Sequence, residues 1–438
     1  MNAKESFIIE GLAGKKKLHG MVSVNGAKNA ALKAMAASVL FHGLVQLENV
    51  PNTDDIHTMA EILRKLGAKV NWKSPDVRHR GILEIDASKA YSTDINKELA
   101  QSMRASVVLT GPLLARFGKV SFPAPGGCVI GARPIDLFIE GYKKMGAIMI
   151  ENNGIYEIKG TLKGAEITFN KISVGATETL MMAAVLAKGK TILKNCAIEP
   201  EIANITEWLN SCGANIKGIG TPTVEIEGTD GKLLKPKAIY MAIPDRIEAG
   251  SFLILGALCA EELIIKNCQP KHLESLVTLL KNAGVPITST NSTISIKGNS
   301  KVNSSFKAFN VKTQEYPGFP TDLQAPIAVF LTQAMGESIV EENIFEGRFK
   351  YVDDLKKIGA KIIEESPRKI IIKGPTLLTD VGHRELNAHD IRAGFAMVLA
   401  ALVGKGQFKI NNVHLIDRGY ENLENKLRAI GANIKKIF

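Results

Sequence analysis

The stretch ILRKLGAKVNW, residues 62–72, decides the fold because five related stretches follow it along the chain. Each one ends an amphipathic helix, passes through a glycine and begins a strand. The others, starting at residues 141, 208, 279, 354 and 426, are GYKKMGAIMIE, WLNSCGANIKG, LLKNAGVPITS, DLKKIGAKIIE and KLRAIGANIKK. A glycine after a helix commonly adopts the left-handed conformation that ends it. The sequence therefore predicts six copies of one unit, with helix ends at Gly67, Gly146, Gly213, Gly284, Gly359 and Gly431.

A second phrase, rich in alanine and other small apolar residues, precedes each of these stretches. Examples are AALKAMAASVL at 30–40 and RAGFAMVLAALV at 392–403. Small side chains let helices approach closely, so these segments indicate helices that are buried on nearly all sides. One repeat is then a strand, a buried helix, a strand, an amphipathic helix and a strand.

Six units of about 70 residues are too long for a typical solenoid, so two groups of three are favoured. The sequence predicts an α/β protein with two similar lobes, each of three βαβαββ-type repeats. The division is expected near residues 242–245, before the fourth buried helix. Because ligands commonly bind where domains meet, we expect a substrate cleft between the lobes.

The composition disfavours several classes of protein. Of the 438 residues, 45% are hydrophobic and 23% are charged, which is typical of a globular protein. No apolar run reaches the roughly 18 residues of a membrane helix, and the first residues lack a signal-peptide pattern. The five cysteines are scattered without a CxxC pair and no HExxH occurs, so we expect no disulfide framework, no metal and no cofactor. These features favour a cytoplasmic protein.

The net charge of +11 would suit a nucleic-acid-binding protein only if it were concentrated in a stripe or a tail. Lysine and arginine are instead spread along the chain, and aromatic residues are scarce at 6%. We therefore expect no nucleic-acid and no membrane partner, and we interpret the charge as serving a site for small anions. The sequence leaves the oligomeric state open.

Polar and charged residues mark the start of each buried helix. In chain order they are Lys28 and Asn29, Arg104, Ser173 and Val174, Asp245 and Arg246, Asp322, and Asp390 and Arg392. Unpaired N–H groups and the helix dipole make such places suitable for anions. Ordinary capping is the alternative for Asn29, Ser173 and Asp322. Capping does not explain Lys28, Arg104 or Arg392, because a cation there opposes the dipole, and a bound anion would offset the mismatch.

The loop PGGCVIGARP, residues 125–134, contains a candidate reactive cysteine. A lone cysteine is usually a small buried hydrophobic residue, which is our interpretation of the other four. Cys128 instead lies in a Gly/Pro-rich loop that cannot form a regular element. Arg133, five residues later, favours the thiolate and can bind an anion beside it. Cys128 is therefore the cysteine to which we assign chemistry.

The loop YPGFPTD, residues 316–322, delivers Asp322 to the start of a buried helix. Two prolines and a glycine make it rigid, and a simple cap would not need such a shaped loop. Arg348 and Arg418 each follow a strand of a repeat, in FEGRF and IDRGY. A surface arginine is usually only solvated, but recurrence at corresponding places, together with Arg392, favours anion binding.

Taken together, these motifs resemble the UDP-N-acetylglucosamine 1-carboxyvinyltransferases, a group of enolpyruvyl transferases. The resemblance covers nearly the whole chain, in order, through NGAKNAA, MRAS, PGGCVIGARP, SVGATET, PDRIEAGSF, YPGFPTDLQ, FEGRF and IDRGYENLENKLRAIGA. It implies an inside-out α/β barrel with one lobe at 22–243 and the other at 1–21 plus 244–438. It also implies transfer of the enolpyruvyl group of phosphoenolpyruvate to the 3-hydroxyl of UDP-N-acetylglucosamine, with release of phosphate, as the first committed step of peptidoglycan synthesis.

The resemblance implies a role for each candidate residue. Cys128 would be the general acid toward the methylene carbon of phosphoenolpyruvate and the target of the epoxide fosfomycin, and Asp322 the general base toward the sugar hydroxyl. The residues implied to bind phosphoenolpyruvate are Lys28, Asn29, Arg133, Arg348, Arg392 and Arg418. Those implied to bind the UDP-sugar are Arg104, Arg133, Pro134, Ile135, Asp136, Leu137, Lys171, Ile172, Ser173, Val174, Asp322 and Ile344.

The roles of three further residues, and three alternative functions, remain to be considered. Gly347 stands where the family is expected to have asparagine, which puts the local loop geometry in doubt. Glu199 and Glu201 match the family, but a structural role is at least as plausible. The alternatives are the sister transferase acting on shikimate 3-phosphate, which lacks the PGGCVIGARP signature, a related fold acting on RNA ends, and a non-catalytic UDP-sugar-binding regulator. The regulator would be expected to lose Cys128 or Asp322, and both are present.

Overall fold

The computed structural model describes residues 5–73, 81–124, 135–297, 306–380 and 385–438. Their contacts form two compact units, one at 26–243 and one at 5–25 plus 244–438, which we call the first and second lobes. The boundary expected between residues 21 and 22 falls within the strand Leu18–Ser23. That strand pairs with Ala260–Lys266 of the second lobe, and the first division lies after residue 25.

The strands are short and are distributed along the whole described chain. In chain order they are β1 (Ser6–Glu10), β2 (Leu18–Ser23), β3 (Leu44–Glu48), β4 (Lys69–Lys73), β5 (Ile82–Asp86), β6 (Lys119–Pro123), β7 (Ile148–Asn152), β8 (Ile155–Lys159), β9 (Glu166–Thr168), β10 (Lys190–Lys194), β11 (Asn215–Lys217), β12 (Thr223–Glu227), β13 (Tyr240–Met241), β14 (Ala260–Lys266), β15 (Ile287–Ser289), β16 (Thr293–Lys297), β17 (Phe306–Lys307), β18 (Val311–Lys312), β19 (Ala334–Glu341), β20 (Lys361–Ser366), β21 (Lys369–Gly374), β22 (Leu386–Asn387), β23 (Gln407–Asn411) and β24 (Ile434–Ile437).

Helices alternate with the strands. The α-helices are α1 (Lys28–Ala37), α2 (Asp54–Lys65), α3 (Lys97–Ser102), α4 (Thr110–Phe117), α5 (Asp136–Lys144), α6 (Val174–Val185), α7 (Pro200–Ser211), α8 (Arg246–Cys259), α9 (Glu274–Asn282), α10 (Gln324–Leu331), α11 (Val352–Lys357), α12 (Ile391–Val403), α13 (His414–Asp417) and α14 (Leu423–Ala429). Short 3-10 helices occur at Ser38–Leu40, Arg104–Leu109, Pro270–Leu273 and Thr321–Leu323.

Each lobe has three small sheets on its outside. In the first lobe the strand orders are β13-β3-β5-β4, β6-β8-β7 and β11-β12-β10-β9. In the second lobe they are β22-β23-β1-β24, β15-β16-β14-β2 and β17-β19-β21-β20, with β18 also paired to β19. Buried and exposed residues alternate along strands such as β12, so one face of the sheet covers the core and the other faces solvent.

The interior of each lobe is made of helices with small side chains. Those of the first lobe are α1, α4 and α6, and those of the second are α8, α10 and α12, where α10 is buried at every residue. Gly111 on α4 shows why small residues are needed, since an added Cβ would lie 2.3 Å from the carbonyl oxygen of Thr179 on α6. Helices inside and sheets outside are the predicted inside-out arrangement.

The six glycines of the repeat confirm the predicted helix ends. Gly67, Gly146, Gly213, Gly284, Gly359 and Gly431 have φ values of 97°, 92°, 105°, 98°, 108° and 97°. Each follows one of the amphipathic helices α2, α5, α7, α9, α11 and α14. A left-handed residue at this position ends the helix and turns the chain into the next strand. Across the described ranges, no helix has the length and apolar character needed to cross a bilayer.

Candidate active site

In the second lobe, Asp322 lies between two arginines. Arg348 Nη2 donates a hydrogen bond to Asp322 Oδ1 at 2.6 Å, and Arg392 contacts Oδ2 through Nε and Nη2, both at 3.2 Å. The arginine side chains are only 6% exposed, whereas the Asp322 side chain is 25% exposed. Two buried positive charges are therefore held by one carboxylate that solvent can reach. The structure brings these three predicted residues together.

Helix capping does not account for Asp322. It lies in the 3-10 turn Thr321–Leu323, which has no side-chain cap, and α10 begins only after that turn. Asn29 is likewise not a cap, because it is the second residue of α1 and Ala27 occupies the cap position. The capping alternative is therefore wrong for both residues. It is correct for Ser173, whose side chain accepts a backbone N–H bond at the start of α6.

Carboxylates beyond Asp322 help to hold the arginines in their charged form. Asp390 caps α12 by accepting the backbone N–H bonds of Arg392 and Ala393 at 2.7 and 3.0 Å. Burial acts to lower the pKa of Arg348, but the carboxylates of Asp322 and Asp390 outweigh it, so this pKa is raised. Arg392 also lies over the ring of Tyr420, 5.2 Å from its centroid.

In the first lobe, the predicted Lys28 forms a buried ion pair. Its Nζ lies 2.7 Å from Oδ2 of Asp55, and the two side chains are 8% and 7% exposed. Lys28 is the first residue of α1 and Asp55 lies in the first turn of α2. A lysine at this position opposes the dipole of its own helix, and the carboxylate of Asp55 compensates for part of that mismatch. The sequence analysis missed Asp55.

A second ion pair joins two helices that carry candidate residues. Lys33 Nζ lies 3.0 Å from Oε2 of Glu178 on α6 and donates to the carbonyl oxygen of Asn29 at 3.2 Å. Burial raises the pKa of Glu178 to about 7. The positive charge of Lys33 lowers this pKa, whereas the negative charges of Glu201 and Glu199 raise it further. A glutamate within an apolar helix needs a buried partner, which is the signal that could have predicted this pair.

The remaining candidates lie at several places in the two lobes. Arg104 begins the helix Arg104–Leu109, which packs against α1 and α6. Ile135 and Leu137 are buried at the start of α5, whereas Asp136, Lys171 and Ile172 are exposed and Val174 begins α6. In the second lobe, Ile344 and Arg418 are partly buried. Cys128, Arg133 and Pro134 lie outside the described residues.

The four described cysteines are core residues, as predicted. Cys196, Cys212, Cys259 and Cys268 are all buried. Burial raises the pKa of Cys196 and Cys268 to about 11 and that of Cys259 to about 12, so these thiols stay protonated near neutral pH. The part of the chain that the structure describes contains no group of histidine, cysteine, aspartate or glutamate residues arranged to hold a metal ion.

Comparison with known proteins places this chain in a class. The family model for EPSP synthase (3-phosphoshikimate 1-carboxyvinyltransferase) matches residues 12–427. The solved enolpyruvyl transferase NikO from Streptomyces tendae superposes with a TM-score of 0.87 at 22% identity, covering 99% of both chains. EPSP synthase from Acinetobacter baumannii gives a TM-score of 0.71 at 17% identity, covering 99% of this chain and all of the other. The class is that of the inside-out α/β enolpyruvyl transferases.

Curated relatives narrow the class. UDP-N-acetylglucosamine 1-carboxyvinyltransferase from Clostridium botulinum is 44% identical over 97% of this chain and 99% of the relative. The protein of the same name from Koribacter versatilis is 44% identical over 99% of this chain and 96% of the relative. The chain therefore belongs to the EPSP synthase family and, within it, to the group of UDP-N-acetylglucosamine 1-carboxyvinyltransferases.

The raised pKa of Glu178 predicts a pH-dependent contribution to stability. Between about pH 4.5 and 7 the folded protein holds the Glu178 proton and the unfolded chain does not, so this contribution is lost as pH rises through that range. It is on the order of 3 kcal/mol. Lys33, Glu199, Glu201 and Tyr240 are the titratable neighbours. Glu178→Gln should therefore reduce the loss of thermal stability between pH 5 and pH 8.

The matched control for this test is Glu225→Gln, which removes a partly exposed glutamate of the same lobe that pairs with Lys190. Thermal unfolding midpoints of the three proteins at pH 5 and pH 8 measure the effect. The control should keep the wild-type difference between the two pH values. A Glu178→Gln variant with that same difference would contradict the buried, partly protonated state of Glu178.

Proposed function

We propose that this chain transfers the enolpyruvyl group of phosphoenolpyruvate to the 3-hydroxyl of UDP-N-acetylglucosamine and releases phosphate, the first committed step of peptidoglycan synthesis. The observation that carries the proposal is the Asp322 carboxylate held by two buried arginines. It occurs in a chain that is 44% identical, over nearly its full length, to carboxyvinyltransferases named for this sugar nucleotide. Both substrates are small cytoplasmic anions, so we propose a cytoplasmic enzyme without nucleic-acid or membrane partners.

The reaction needs a base and an acid on opposite sides of the substrate. The sugar 3-oxygen forms a bond to C2 of phosphoenolpyruvate as its proton leaves, and C3 takes up a proton. The resulting tetrahedral adduct then loses phosphate from C2 and a proton from C3, which restores the double bond. We assign the first proton removal to Asp322 and the protonation of C3 to Cys128.

The assignment of Asp322 as base is supported by its surroundings. Arg348 and Arg392 contact both oxygens of the Asp322 carboxylate and fix its position, while a quarter of the side chain stays exposed to solvent. Phosphoenolpyruvate carries a carboxylate that suits bidentate binding by arginine. A substrate carboxylate that binds the same two arginines competes with Asp322 for them and leaves the Asp322 carboxylate available to the sugar hydroxyl.

The other residues form two proposed binding sets. For phosphoenolpyruvate, Arg348 and Arg392 bind the carboxylate, Lys28, Arg133 and Arg418 bind the phosphate, and Asn29 assists. For the UDP-sugar, the proposed contacts come from Arg104, Arg133, Pro134, Ile135, Asp136, Leu137, Lys171, Ile172, Ser173, Val174, Asp322 and Ile344. Burial of Lys28, Arg348 and Arg392 supports this role, because a desolvated cation attracts an anion more strongly than a solvated one.

Phosphate release is expected only when phosphoenolpyruvate and UDP-N-acetylglucosamine are supplied together. A colorimetric phosphate assay with each substrate alone, with both, and with shikimate 3-phosphate in place of the UDP-sugar measures this. Equal release with shikimate 3-phosphate would favour the sister reaction. Release from phosphoenolpyruvate alone would show a phosphatase and contradict the proposal.

The proposed role of Cys128 predicts a single reactive thiol. Fosfomycin should add once to the wild-type chain and not to Cys128→Ala, because the four described cysteines are buried. The variant should lose turnover by about 100-fold or more while still binding the UDP-sugar. Intact mass, peptide mapping and calorimetry measure these effects, with Cys196→Ala as the control that keeps the adduct. An adduct that maps to Cys196 would overturn the assignment.

A further inference from the structure

Glu342 is a fully buried carboxylate that lies just after β19 in the second lobe. Its Oε1 accepts hydrogen bonds from Thr313 Oγ1 at 3.0 Å and from the backbone N–H groups of Ile344 and Phe345, both at 2.9 Å. Its Oε2 accepts from Thr321 Oγ1 at 2.8 Å. Four donors thus converge on one side chain to which the sequence analysis gave no role.

The donors belong to two segments that carry three candidate residues of this lobe, Asp322, Ile344 and Arg348. Thr321 directly precedes Asp322, and the segment from Ile344 leads to Arg348. The two segments also meet directly, because Arg348 Nη1 donates to the carbonyl oxygen of Thr321 at 3.4 Å. The ring of Phe345 lies 5.2 Å from the Arg348 guanidinium. Glu342 is therefore placed to fix the base and its neighbouring arginine relative to each other.

Glu342 also holds both ends of the YPGFPTD loop. Thr313 lies just before this loop and Thr321 lies near its end, and both hydroxyls donate to the same carboxylate. The backbone N–H of Gln314, just before the loop, also donates to the carbonyl oxygen of Phe319 within it at 2.9 Å. Because the two ends are tied to one side chain, the position of Asp322 depends on Glu342 as well as on its arginine partners.

An ionised glutamate fits this position better than its amide. A buried carboxylate is stable only when hydrogen bonds replace its lost solvation, and four donors supply them. Glutamine has the same shape, but its amide nitrogen donates and cannot accept. With glutamine, the amide nitrogen can face only Thr321, whose hydroxyl must then turn and accept instead of donate, and the neutral amide oxygen is a weaker acceptor for Thr313 and the two N–H groups than a carboxylate.

We propose that Glu342 is a positioning residue for the transfer reaction, holding the Asp322 carboxylate and the Ile344 backbone at the separation that the sugar 3-hydroxyl requires. It does not itself touch a substrate. The inference rests on the proposed function, in which Asp322 is the base and Ile344 contacts the UDP-sugar. Misplacement of a reacting group by about 1 Å costs on the order of 100-fold in rate, so a hydrogen-bond change behind the site is enough to be measured.

Two variants distinguish the kinetic effect of the Asp322 segment from that of the Ile344 segment. Thr321→Val removes the hydroxyl next to Asp322 and should lower kcat about tenfold with little change in KM for UDP-N-acetylglucosamine. Glu342→Gln replaces the charge-assisted hydrogen bonds to both segments by weaker neutral ones and should lower kcat and also raise KM for the UDP-sugar severalfold. Steady-state phosphate release with both substrates measures these constants, and calorimetry measures UDP-sugar binding separately.

The matched control is Thr332→Val in the same lobe. Thr332 is fully buried, whereas Thr321 is partly buried, and the Thr332 hydroxyl donates to the carbonyl oxygen of Val329 at 2.7 Å, at the end of α10 away from Asp322. This variant should lose thermal stability as Thr321→Val does, but it should keep wild-type kcat and KM. A purely structural role for Glu342 predicts instead that the kinetic constants of all three variants follow their thermal midpoints.

These experiments distinguish failure of the positioning role of Glu342 from failure of the proposed transfer reaction. If the wild-type protein releases no phosphate from the substrate pair, the proposed function fails and this inference fails with it. If the wild type is active and Thr321→Val and Glu342→Gln match Thr332→Val, the positioning role alone is overturned. If Glu342→Gln does not fold, Thr321→Val decides: a tenfold fall in kcat supports the role, and an unchanged kcat overturns it.

Discussion

The guanidinium groups of Arg348 and Arg392 are buried in the second lobe, and a buried positive charge is stable only beside a negative one. The other features of the site depend on this requirement. Asp322 supplies the charge through contacts to both Arg348 and Arg392. Breaking such a pair by removing one partner typically costs about 3–5 kcal/mol, because the other charge stays buried and unpaired. An anionic substrate that binds the same arginines offers an alternative source of negative charge. The carboxylate that balances the site is thus also the group proposed to take the sugar proton.

The repeated fold explains why charges collect at these places. Each repeat contributes a buried helix, and the candidate residues Lys28, Val174 and Arg392 lie in the first turn of α1, α6 and α12. In the first lobe, Lys28 at the start of α1 pairs with Asp55, and Lys33, further along α1, pairs with Glu178 of α6. Interior helices built from small apolar residues leave little freedom to move these starts, so the paired charges are held in fixed positions.

The sequence predicts local features well and long-range pairings poorly. The six helix-ending glycines follow from local conformational preferences, and all six have the left-handed conformation. The partners of Asp322 lie 26 and 70 residues away, so no local pattern reveals which arginines it contacts. Glu342 follows an ordinary strand and gives no signal, because its importance comes from donors that only the fold assembles. Glu178 could have been noticed as a charge within an apolar helix.

The most direct test of the central claim is the affinity of Asp322→Asn for phosphoenolpyruvate, measured by calorimetry with UDP-N-acetylglucosamine bound. If Asp322 and the substrate carboxylate share the same two arginines, removing the negative charge should leave this affinity unchanged or increase it, even as turnover is lost. Binding weakened by more than about tenfold, equivalent to about 1.4 kcal/mol, would show that Arg348 and Arg392 need Asp322 in order to bind the substrate and would contradict the account.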